Sequence, residues 1–194
     1  MSRGLGDVYK RQAERGAEVT LVAGPVSLKT HHPAIKRIDV ESAGEMYQAA
    51  MTAFPSSDAA ILCAAVADYR PENASEQKIK RETEREMTLH LVPNPDIAAS
   101  LGAIKREGQV MVGFALETND EATHAEGKLK RKNLDFIVLN SLRDQGAGFR
   151  CDTNKITIID NAGGVTSYPL KTKREVACDI AVSYTHLRAH ETLA

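Results

Sequence analysis

The stretch that decides the fold is CAAVADYRP, residues 63–71, followed by the basic cluster KIKR at residues 78–81. Residues 61–67 form an apolar run, which is typical of a strand buried on both faces of a parallel sheet. Asp68 then carries the first charge after this strand, at the carboxyl edge where open α/β sheets bind ligands. The basic cluster lies in a polar stretch, residues 72–86, that has too few apolar residues to pack as core. A carboxylate at a strand end beside a basic loop predicts a site that closes over a polyphosphate.

The composition is that of one α/β domain without a charge bias. The 194 residues are enough for a single buried core, and the net charge of −1 gives no reason to expect nucleic acid or an anionic membrane as partner. No apolar stretch approaches the ~20 residues of a membrane span, and no signal-peptide pattern opens the chain. Cys63, Cys151 and Cys178 lack metal-ligand spacing, so we expect buried thiols in a reducing, cytoplasmic setting.

The two ends of the chain do not have the pattern of a natural protein. Asp7–Gln12 is what GAT GTG TAT AAG AGA CAG encodes, and Val182–Leu187 is what the complementary strand of the same DNA encodes. This resembles a transposon-derived sequencing adapter translated in frame at both ends of an insert. We therefore expect residues 1–12 and 182–194 to be adapter-encoded, and we predict that the natural domain spans residues 13–181.

Between these ends the chain alternates between strand-like and helix-like segments. The predicted strands are residues 19–23, 35–40, 61–67, 87–92, 110–114, 136–139, 155–159 and 165–168. The predicted helices are residues 42–54, 95–104, 119–132 and 171–181. The first helix opens on a capping box, Ser42 with Glu45, and the second on Asn94 as N-cap, with proline in its first turn. This order predicts a doubly wound, Rossmann-like, mostly parallel sheet with helices on both faces and a C-terminal β-hairpin appendage.

Three groups of residues could hold an anionic ligand. They are Asp68 with the bases Lys78, Lys80 and Arg81; the helix start Pro95–Ala98; and the lysine pair Lys128 and Lys132. Free backbone N–H groups at a helix start favour a phosphate or an acceptor-rich base edge. The two lysines of the pair are four residues apart, so they share one helix face and can reach one polyanion together. Because each group follows a strand of the same sheet, we expect the three to converge on one edge.

Each group also has a simpler explanation. Bases in the last turn of a helix offset its dipole, and a charged loop is ordinarily solvated surface. A nucleic-acid patch is a further explanation, but no aromatic platform accompanies these bases. The residues alone therefore leave open a non-catalytic nucleotide-binding module or a structural fragment. A non-catalytic module would not depend on Lys78.

The motifs together resemble one known family. The matching segments, in order and spacing, are residues 17–28, 63–70, 78–81, 94–97, 113–118 and 130–135. They resemble the phosphopantothenate–cysteine ligases of the bacterial, CTP-using type, which form the C-terminal half of a bifunctional coenzyme A biosynthesis flavoprotein. The likeness covers essentially all of residues 13–181.

The resemblance implies a two-step ligation in coenzyme A biosynthesis. Phosphopantothenate and CTP would give an acyl-cytidylate and pyrophosphate, and cysteine would then displace CMP to form an amide. The expected partners are CTP, 4′-phosphopantothenate and cysteine, with Mg²⁺ bound through the phosphates of the nucleotide. The resemblance further implies a cytoplasmic homodimer, to whose interface the hairpin at residues 155–168 could contribute.

The resemblance also assigns roles to residues of this sequence. Lys78 is the expected catalytic residue, because a positioned cation neutralises charge that develops on the phosphate under attack. The expected nucleotide-binding residues are Ala64, Asp68, Lys78, Pro95, Asp96, Ile97, Ala98, Phe114, Lys128 and Lys132. Residues 95–98 would hold the cytosine through backbone groups, and Phe114 would pack beside the base. No residue of the chain is expected as a metal ligand.

The chain departs from the family pattern at its beginning. That pattern starts with a strand, a loop containing threonine and arginine, and an asparagine followed by a Ser-Ser-Gly turn, which handle phosphopantothenate and the acyl-cytidylate. None of these is found before Ala13, which falls near the end of the helix that follows them. The flavin-binding decarboxylase half is also absent, so we expect FMN only in that half. We therefore expect the natural parent to be a ligase, and this chain alone to be inactive and at most partly folded.

Overall fold

The computed structural model describes residues 8–27, 29–73, 75, 77–78, 87–117, 121–141 and 152–191. The helices in these ranges are α1 (Val8–Glu14), α2 (Ala43–Ala53), α3 (Ile97–Ile104), α4 (Glu121–Arg131) and α5 (Lys173–Glu191), with a 3₁₀ turn at Phe54–Ser56. The strands are β1 (Val19–Ala23), β2 (Ile35–Asp39), β3 (Ala59–Leu62), β4 (Tyr69–Pro71), β5 (Leu91–Pro93), β6 (Val110–Glu117), β7 (Phe136–Ser141), β8 (Thr153–Asn154), β9 (Ile156–Asp160), β10 (Val165–Ser167) and β11 (Lys171–Thr172). None of the helices in the described ranges has the length and apolar character needed to cross a membrane.

The main sheet has five strands in the order β10-β9-β7-β6-β3. β3, β6 and β7 run parallel, with Ala59 opposite Val110 and Val112 opposite Phe136. β9 runs antiparallel to β7, and β10 pairs with β9 across the turn at residues 161–164. A mostly parallel central sheet is therefore confirmed, but the predicted hairpin extends this sheet and is not an appendage to it.

Helices cover both faces of the main sheet, because side chains alternate between the faces along each strand. On one face, Val110 and Val112 of β6 lie in an apolar cluster with residues of α1 and α5. On the other face, Met111 and Ala115 of the same strand lie in a cluster with residues of α3 and α4. The prediction of helices on both faces is confirmed.

The apolar run at residues 61–67 is not the fully buried strand that the sequence predicts. β3 begins earlier, ends at Leu62, and has half-buried side chains. The reason is its position, because β3 is the last strand at one end of the main sheet and no described strand covers its outer edge. Cys63 follows it and is exposed at the surface, contrary to the expected buried thiol, although the surrounding protein still desolvates the thiol and raises its pKa. Cys178 is half-buried, and Cys151 lies outside the described residues.

β1 and β2 form a second, separate parallel sheet, with Val19 opposite Ile35. Within the described residues, no strand joins this pair to β3, although one continuous sheet would do so in a doubly wound fold. The gap fits the expectation that the first strand of the family pattern is missing here. That expectation stays a prediction.

Residues assigned to the adapter take part in two helices. α1 begins at Val8, whose side chain is 2% exposed and lies in the same cluster as Ile180 of α5. α5 continues past residue 181 to Glu191. Leaving the two ends out of the sequence-based fold therefore missed a core residue, Val8. The adapter origin of these ends stays a prediction.

Local signals place the start of α2 well. Ser42 is its N-cap, and the Ser42 hydroxyl accepts a hydrogen bond from the Glu45 N–H (3.1 Å). The Glu45 carboxylate reaches back one residue further than predicted and accepts from the Glu41 N–H (2.8 Å). This backbone hydrogen bond holds the pKa of Glu45 below its ordinary value. The predicted hydrogen bond to the Ser42 hydroxyl is therefore confirmed. The reciprocal bond of the Glu45 carboxylate goes to the N–H of Glu41 instead of that of Ser42.

The ends of some strands differ from the prediction, because pairing with a neighbouring strand decides where they lie. β6 runs on to Glu117 instead of ending at Phe114, because its pairing with β7 continues to that residue. β5 is limited to Leu91–Pro93, because only these residues face β4. The predicted start of the third helix at Asn119 lies outside the described residues, and α4 begins at Glu121.

A buried ion pair joins the amino ends of β6 and β7. Lys105 Nζ lies 2.8 Å from Asp135 Oδ1, with the two side chains 13% and 9% exposed. The other carboxylate oxygen of Asp135 accepts from the Met111 N–H (2.6 Å), and Asn161 Nδ2 also donates to the first oxygen (3.4 Å). Asp135 therefore accepts from three donors, of which the Met111 N–H is fully buried.

Candidate functional site

A short antiparallel ribbon carries the loop that contains Lys78. The ribbon consists of β4 and β5, with Tyr69 opposite Pro93. It closes the intervening residues into a loop, and Lys78 in this loop is exposed. Lys80 and Arg81, which were grouped with Lys78, lie outside the described residues. The ribbon thus holds the two ends of this loop, at Pro71 and Leu91, next to each other.

Asn94 ties the segment after β3 to the segment before α3. The Asn94 N–H donates to Asp68 O (2.8 Å), and Asn94 Nδ2 donates to Ala67 O (2.8 Å). The exposed Asp68 is thereby placed next to the helix start at residues 95–98. Asp68 of the first expected group therefore lies beside the second group.

Asp96, and not Asn94, is the N-cap of α3. Its Oδ1 accepts a hydrogen bond from the Ala99 N–H (3.0 Å). Asparagine and aspartate are equally good caps, but the Asn94 side chain is already bonded to Ala67, so the cap falls to Asp96. Pro95 consequently precedes the helix and does not open its first turn.

The carboxylate of Asp96 also forms an ion pair with Lys132, with 3.0 Å between Oδ2 and Nζ. Partial burial alone would raise the pKa of Asp96, but the hydrogen bond from Ala99 and the interaction with Lys132 together hold it below its ordinary value. The start of α3 therefore carries its own anion. A second anion such as a phosphate is repelled there, whereas the neutral edge of a base is not.

Lys128 and Lys132 lie beside the amino end of a strand, contrary to the expectation that each group follows a strand end. The Lys132 N–H donates to Lys128 O (3.0 Å), so the two residues are one turn apart on one side of α4. The chain then enters β7 at Phe136, because a helix that connects parallel strands ends where the next strand begins. The Lys132 side chain nevertheless reaches Asp96, so the third group still meets the second.

A close approach between α3 and α4 sets the position of Lys132. Asn133 has φ = 51°, and its Nδ2 donates to Gly102 O (3.0 Å). A Cβ atom at Gly102 would overlap with the carbonyl oxygen of Lys132 and would lie 2.8 Å from its carbonyl carbon. Sequence reasoning missed both Gly102 and Asn133. The available signal was an asparagine directly after the basic last turn, since asparagine tolerates the left-handed region better than most residues.

We expect Gly102→Ala to lower the free energy of unfolding by about 2–3 kcal/mol, because the added methyl group meets backbone that cannot rotate away. The measurement is urea unfolding of the 194-residue chain, after a cooperative transition has been recorded for the unmutated chain, since the sequence leads us to expect only partial folding. Gly127→Ala in α4 is the matched control, since nothing lies within 4 Å of its Cβ position. That control should gain roughly 0.5–1 kcal/mol from helix propensity. Equal stability of the two variants would contradict the close approach.

Phe114 and Ala64 were also expected at the nucleotide site. Phe114 is half-buried and packs against the apolar cluster that contains Val110 and Val112, on the face of the main sheet opposite α3. Ala64 is exposed in the segment after β3. The structure does not bring Phe114 to residues 95–98, and its place beside the base stays a prediction.

The carboxylates of the site do not by themselves form a metal centre. Among the described residues, no group of three His, Cys, Asp or Glu side chains could hold a metal ion. Of the two carboxylates near the start of α3, Asp96 already accepts from Ala99 and pairs with Lys132. Asp68 is exposed. A divalent cation at this place would therefore depend on oxygen atoms of a bound ligand for most of its coordination.

The order of elements and the groups at the start of α3 match a known family. Residues 7–187 fit the family model described as the DNA/pantothenate metabolism flavoprotein C-terminal domain. The chain belongs to this family. The matched range includes residues at both ends that the adapter hypothesis excludes, and it does not decide where those residues come from.

Curated relatives of this flavoprotein C-terminal domain are considerably longer than the chain. One, from an unknown prokaryotic organism and named cysteine/cysteine sulfinic acid decarboxylase, is 57% identical over 168 residues, which are 87% of this chain and 46% of that protein. Another, the coenzyme A biosynthesis bifunctional protein CoaBC of Vibrio parahaemolyticus, is 50% identical over 147 residues, 75% of this chain and 37% of that protein. The chain thus spans less than half the length of these relatives. Because more than half of each lies outside the match, their names do not assign a reaction to the matched part.

A solved structure shows the same fold. The crystal structure of the C-terminal domain of a coenzyme A biosynthesis bifunctional protein CoaBC is 35% identical to the chain and has a TM-score of 0.75. The alignment covers 93% of this chain and 81% of that one. The mixed α/β fold with a central, mostly parallel sheet is therefore common to both.

Proposed function

We propose that the complete protein containing this domain joins cysteine to 4′-phosphopantothenate at the expense of CTP, and that this chain supplies the nucleotide site. The family match and the names of its relatives support a role in coenzyme A biosynthesis. The observation that carries the proposal is the continuous link from Asp68 through Asn94 to Asp96 and Lys132. It joins in one place a carboxylate, a helix start and a basic pair.

The proposed reaction has two steps. The carboxylate of phosphopantothenate attacks the α-phosphorus of CTP, the bond to the β-phosphate oxygen breaks, and pyrophosphate leaves. The amine of cysteine then attacks the carbonyl carbon of the acyl-cytidylate, loses a proton and displaces CMP. The first step concentrates negative charge on the α-phosphate oxygens, so a cation held near them lowers the barrier.

The charges at the start of α3 suggest which part of the nucleotide lies at each group of residues. The capping carboxylate of Asp96 disfavours the triphosphate at residues 95–98 and leaves that place to the neutral cytosine. Lys128 and Lys132 are then the expected partners of the triphosphate. The ion pair of Lys132 with Asp96 is partly exposed, and such pairs contribute at most about 1 kcal/mol, so a triphosphate can compete for the lysine.

Lys78 is the proposed catalytic cation, and Asp68 is the carboxylate best placed to meet the metal-bound nucleotide. Magnesium, when bound with CTP, supplies further charge compensation at the phosphates. The donor set fits this ion, because Mg²⁺ commonly takes one or two carboxylates and completes its shell with phosphate oxygens and water.

The remaining properties of the complete protein are also proposals. We propose a homodimer in the cytoplasm, with FMN bound only by a decarboxylase half outside this chain. A non-catalytic nucleotide-binding module remains the alternative for the chain itself. It would bind a nucleotide without a preference for cytosine and would release no pyrophosphate.

The choice of nucleotide tests the proposal. The test protein is a chimera in which this chain replaces the matching segment of the Vibrio parahaemolyticus relative. We expect pyrophosphate release that depends on phosphopantothenate and CTP, with kcat/KM for ATP lower by roughly 5- to 150-fold, because a mismatched base leaves buried hydrogen-bonding groups unpaired at about 1–3 kcal/mol. The unmodified relative is the positive control. Equal turnover with ATP and CTP would refute the cytosine pocket, and binding without turnover would favour the alternative.

A further inference from the structure

Arg70 and Asn94 form a hydrogen-bonded clamp between the segment after β3, which ends at Asp68, and the segment that leads into α3. Arg70 Nη1 donates to Pro93 O (2.8 Å) and to Asn94 Oδ1 (3.2 Å). The amide nitrogen of Asn94 donates to Ala67 O (2.8 Å), while its backbone N–H donates to Asp68 O (2.8 Å). The side chain of Asn94 thus holds the segment after β3, and the side chain of Arg70 orients that of Asn94.

The two ends of the amide of Asn94 have different tasks. Its oxygen accepts from the guanidinium of Arg70, which leaves the NH₂ group pointing at Ala67 O. The opposite orientation would set two donors against each other at Arg70 and two acceptors against each other at Ala67. Arg70 therefore selects the orientation of the amide in which Asn94 binds both segments.

The clamp acts together with the β4–β5 ribbon, because the two segments continue directly from its paired end residues, Tyr69 and Pro93. β4 and β5 form a two-stranded sheet of their own and pair with no strand of the main sheet within the described residues. Asp68 lies directly before β4, and Pro95 lies one residue beyond Asn94. The separation between Asp68 and the start of α3 is consequently set by the pairing of the ribbon and by the hydrogen bonds of Asn94, whose side chain Arg70 orients.

We propose that Arg70 and Asn94 are positioning residues of the nucleotide site. This inference rests on the proposed function, in which Asp68 meets the phosphate end of the nucleotide and the start of α3 reads its base. The clamp fixes the position of Asp68 relative to the start of α3, and so the position of these two contacts relative to each other. Neither Arg70 nor Asn94 is required to touch the substrate.

The test uses Asn94→Asp and Arg70→Lys in the chimera. Asn94→Asp keeps the shape and the acceptor for Arg70 but loses the donor to Ala67 O. Arg70→Lys keeps the charge but loses the planar fork that reaches two acceptors. We expect each variant to raise KM for CTP about tenfold, the size of one lost hydrogen bond at the site, with KM for cysteine unchanged.

Two further readouts separate positioning from general stability. Because the two side chains share a hydrogen bond, the double variant should raise KM for CTP by less than the product of the single effects. Arg106→Lys is the matched control, since Arg106 Nη2 also donates to a proline carbonyl, Pro55 O, and Arg106 lies beyond the end of α3 opposite to the site. That control should leave KM for CTP unchanged.

The outcomes are distinct for the two proposals. No CTP-dependent turnover in the unmutated chimera would overturn the proposed function and this inference with it. Normal turnover in the chimera, with KM for CTP unchanged in Arg70→Lys and Asn94→Asp, would overturn this inference alone. A variant that lowers the melting temperature and raises KM for all substrates alike would show a structural role, and this outcome would also overturn the inference. A selective rise in KM for CTP at an unchanged melting temperature would support it.

Discussion

Replacing Lys78 by glutamine in the chimera is expected to lower kcat for pyrophosphate release by about 10²–10³-fold. The reason is that a cation held near the α-phosphate acts on charge present only in the transition state, and losing one such group typically costs about 2.7–4 kcal/mol. Binding of CTP should change by less than about threefold, because Lys128 and Lys132 continue to hold the triphosphate in the ground state. The measurement is a coupled pyrophosphate assay with CTP varied.

Lys130→Gln provides the control for this variant. Lys130 is an exposed lysine of α4 that lies between the two lysines of the basic pair in sequence but on another side of the helix. Its replacement should leave kcat within about twofold, since screened surface charge contributes little at a distance. If Lys78→Gln keeps the kcat of the unmutated chimera, the loop that contains Lys78 is solvated surface without a catalytic role.

Replacing Asp135 by alanine is expected to lower the free energy of unfolding by about 3–5 kcal/mol. The substitution leaves the ammonium group of Lys105 in a nearly buried position without its partner, and breaking such a pair from one side has this cost. It also removes the acceptor of the Met111 N–H, a buried backbone donor. Since domains are stable by only about 5–15 kcal/mol, the variant should be close to unfolded at room temperature.

Asp39→Ala is the matched control for this loss. Asp39 pairs with Arg37 at the surface, with the Asp39 side chain 69% exposed, so its removal should cost less than about 1 kcal/mol. The measurement is thermal and urea unfolding followed by circular dichroism. A loss at Asp135 no larger than that at Asp39 would mean that water reaches the ion pair and compensates for it.

The parts of the fold that follow from local sequence were predictable. The bounds of β1 coincide with the apolar run at residues 19–23, and the start of α2 follows from Ser42 as its cap. The alternation of strands and helices was sufficient to predict a parallel sheet covered on both faces. The first two signals lie within a few residues, and the third lies in the order of elements along the chain.

The parts that depend on distant partners were not predictable. Asn94 and Asp96 are both suitable caps, and the choice between them is made by Ala67, 27 positions before Asn94. The exposure of the segment after β3 depends on which strand lies at the end of the main sheet, and an apolar run carries no information about its neighbours. Gly102 is an ordinary helical glycine in the sequence, and only the backbone of Lys132 makes it necessary.

The candidate site shows the same division. Three groups that the sequence predicted are linked in the structure, namely Asp68, the start of α3 and the basic pair through Lys132, but their role in binding stays a prediction. The sequence placed the basic pair at the wrong end of its strand, because connectivity puts the end of α4 beside the amino end of β7. It also missed the ion pair between Asp96 and Lys132. The start of α3 alone would be partly positive, but the capping carboxylate of Asp96 places a negative charge there.

The β4–β5 ribbon also determines where this fold can change its length. The entropy lost on closing a flexible loop rises slowly, by about 0.6 kcal/mol for each doubling of the loop. Insertions between residues 72 and 90 therefore cost little as long as the two strands pair. An insertion between Asn94 and Ile97 would instead move the helix away from the clamp. The length of chain that carries Lys78 can thus change without a change in the pairing of β4 with β5.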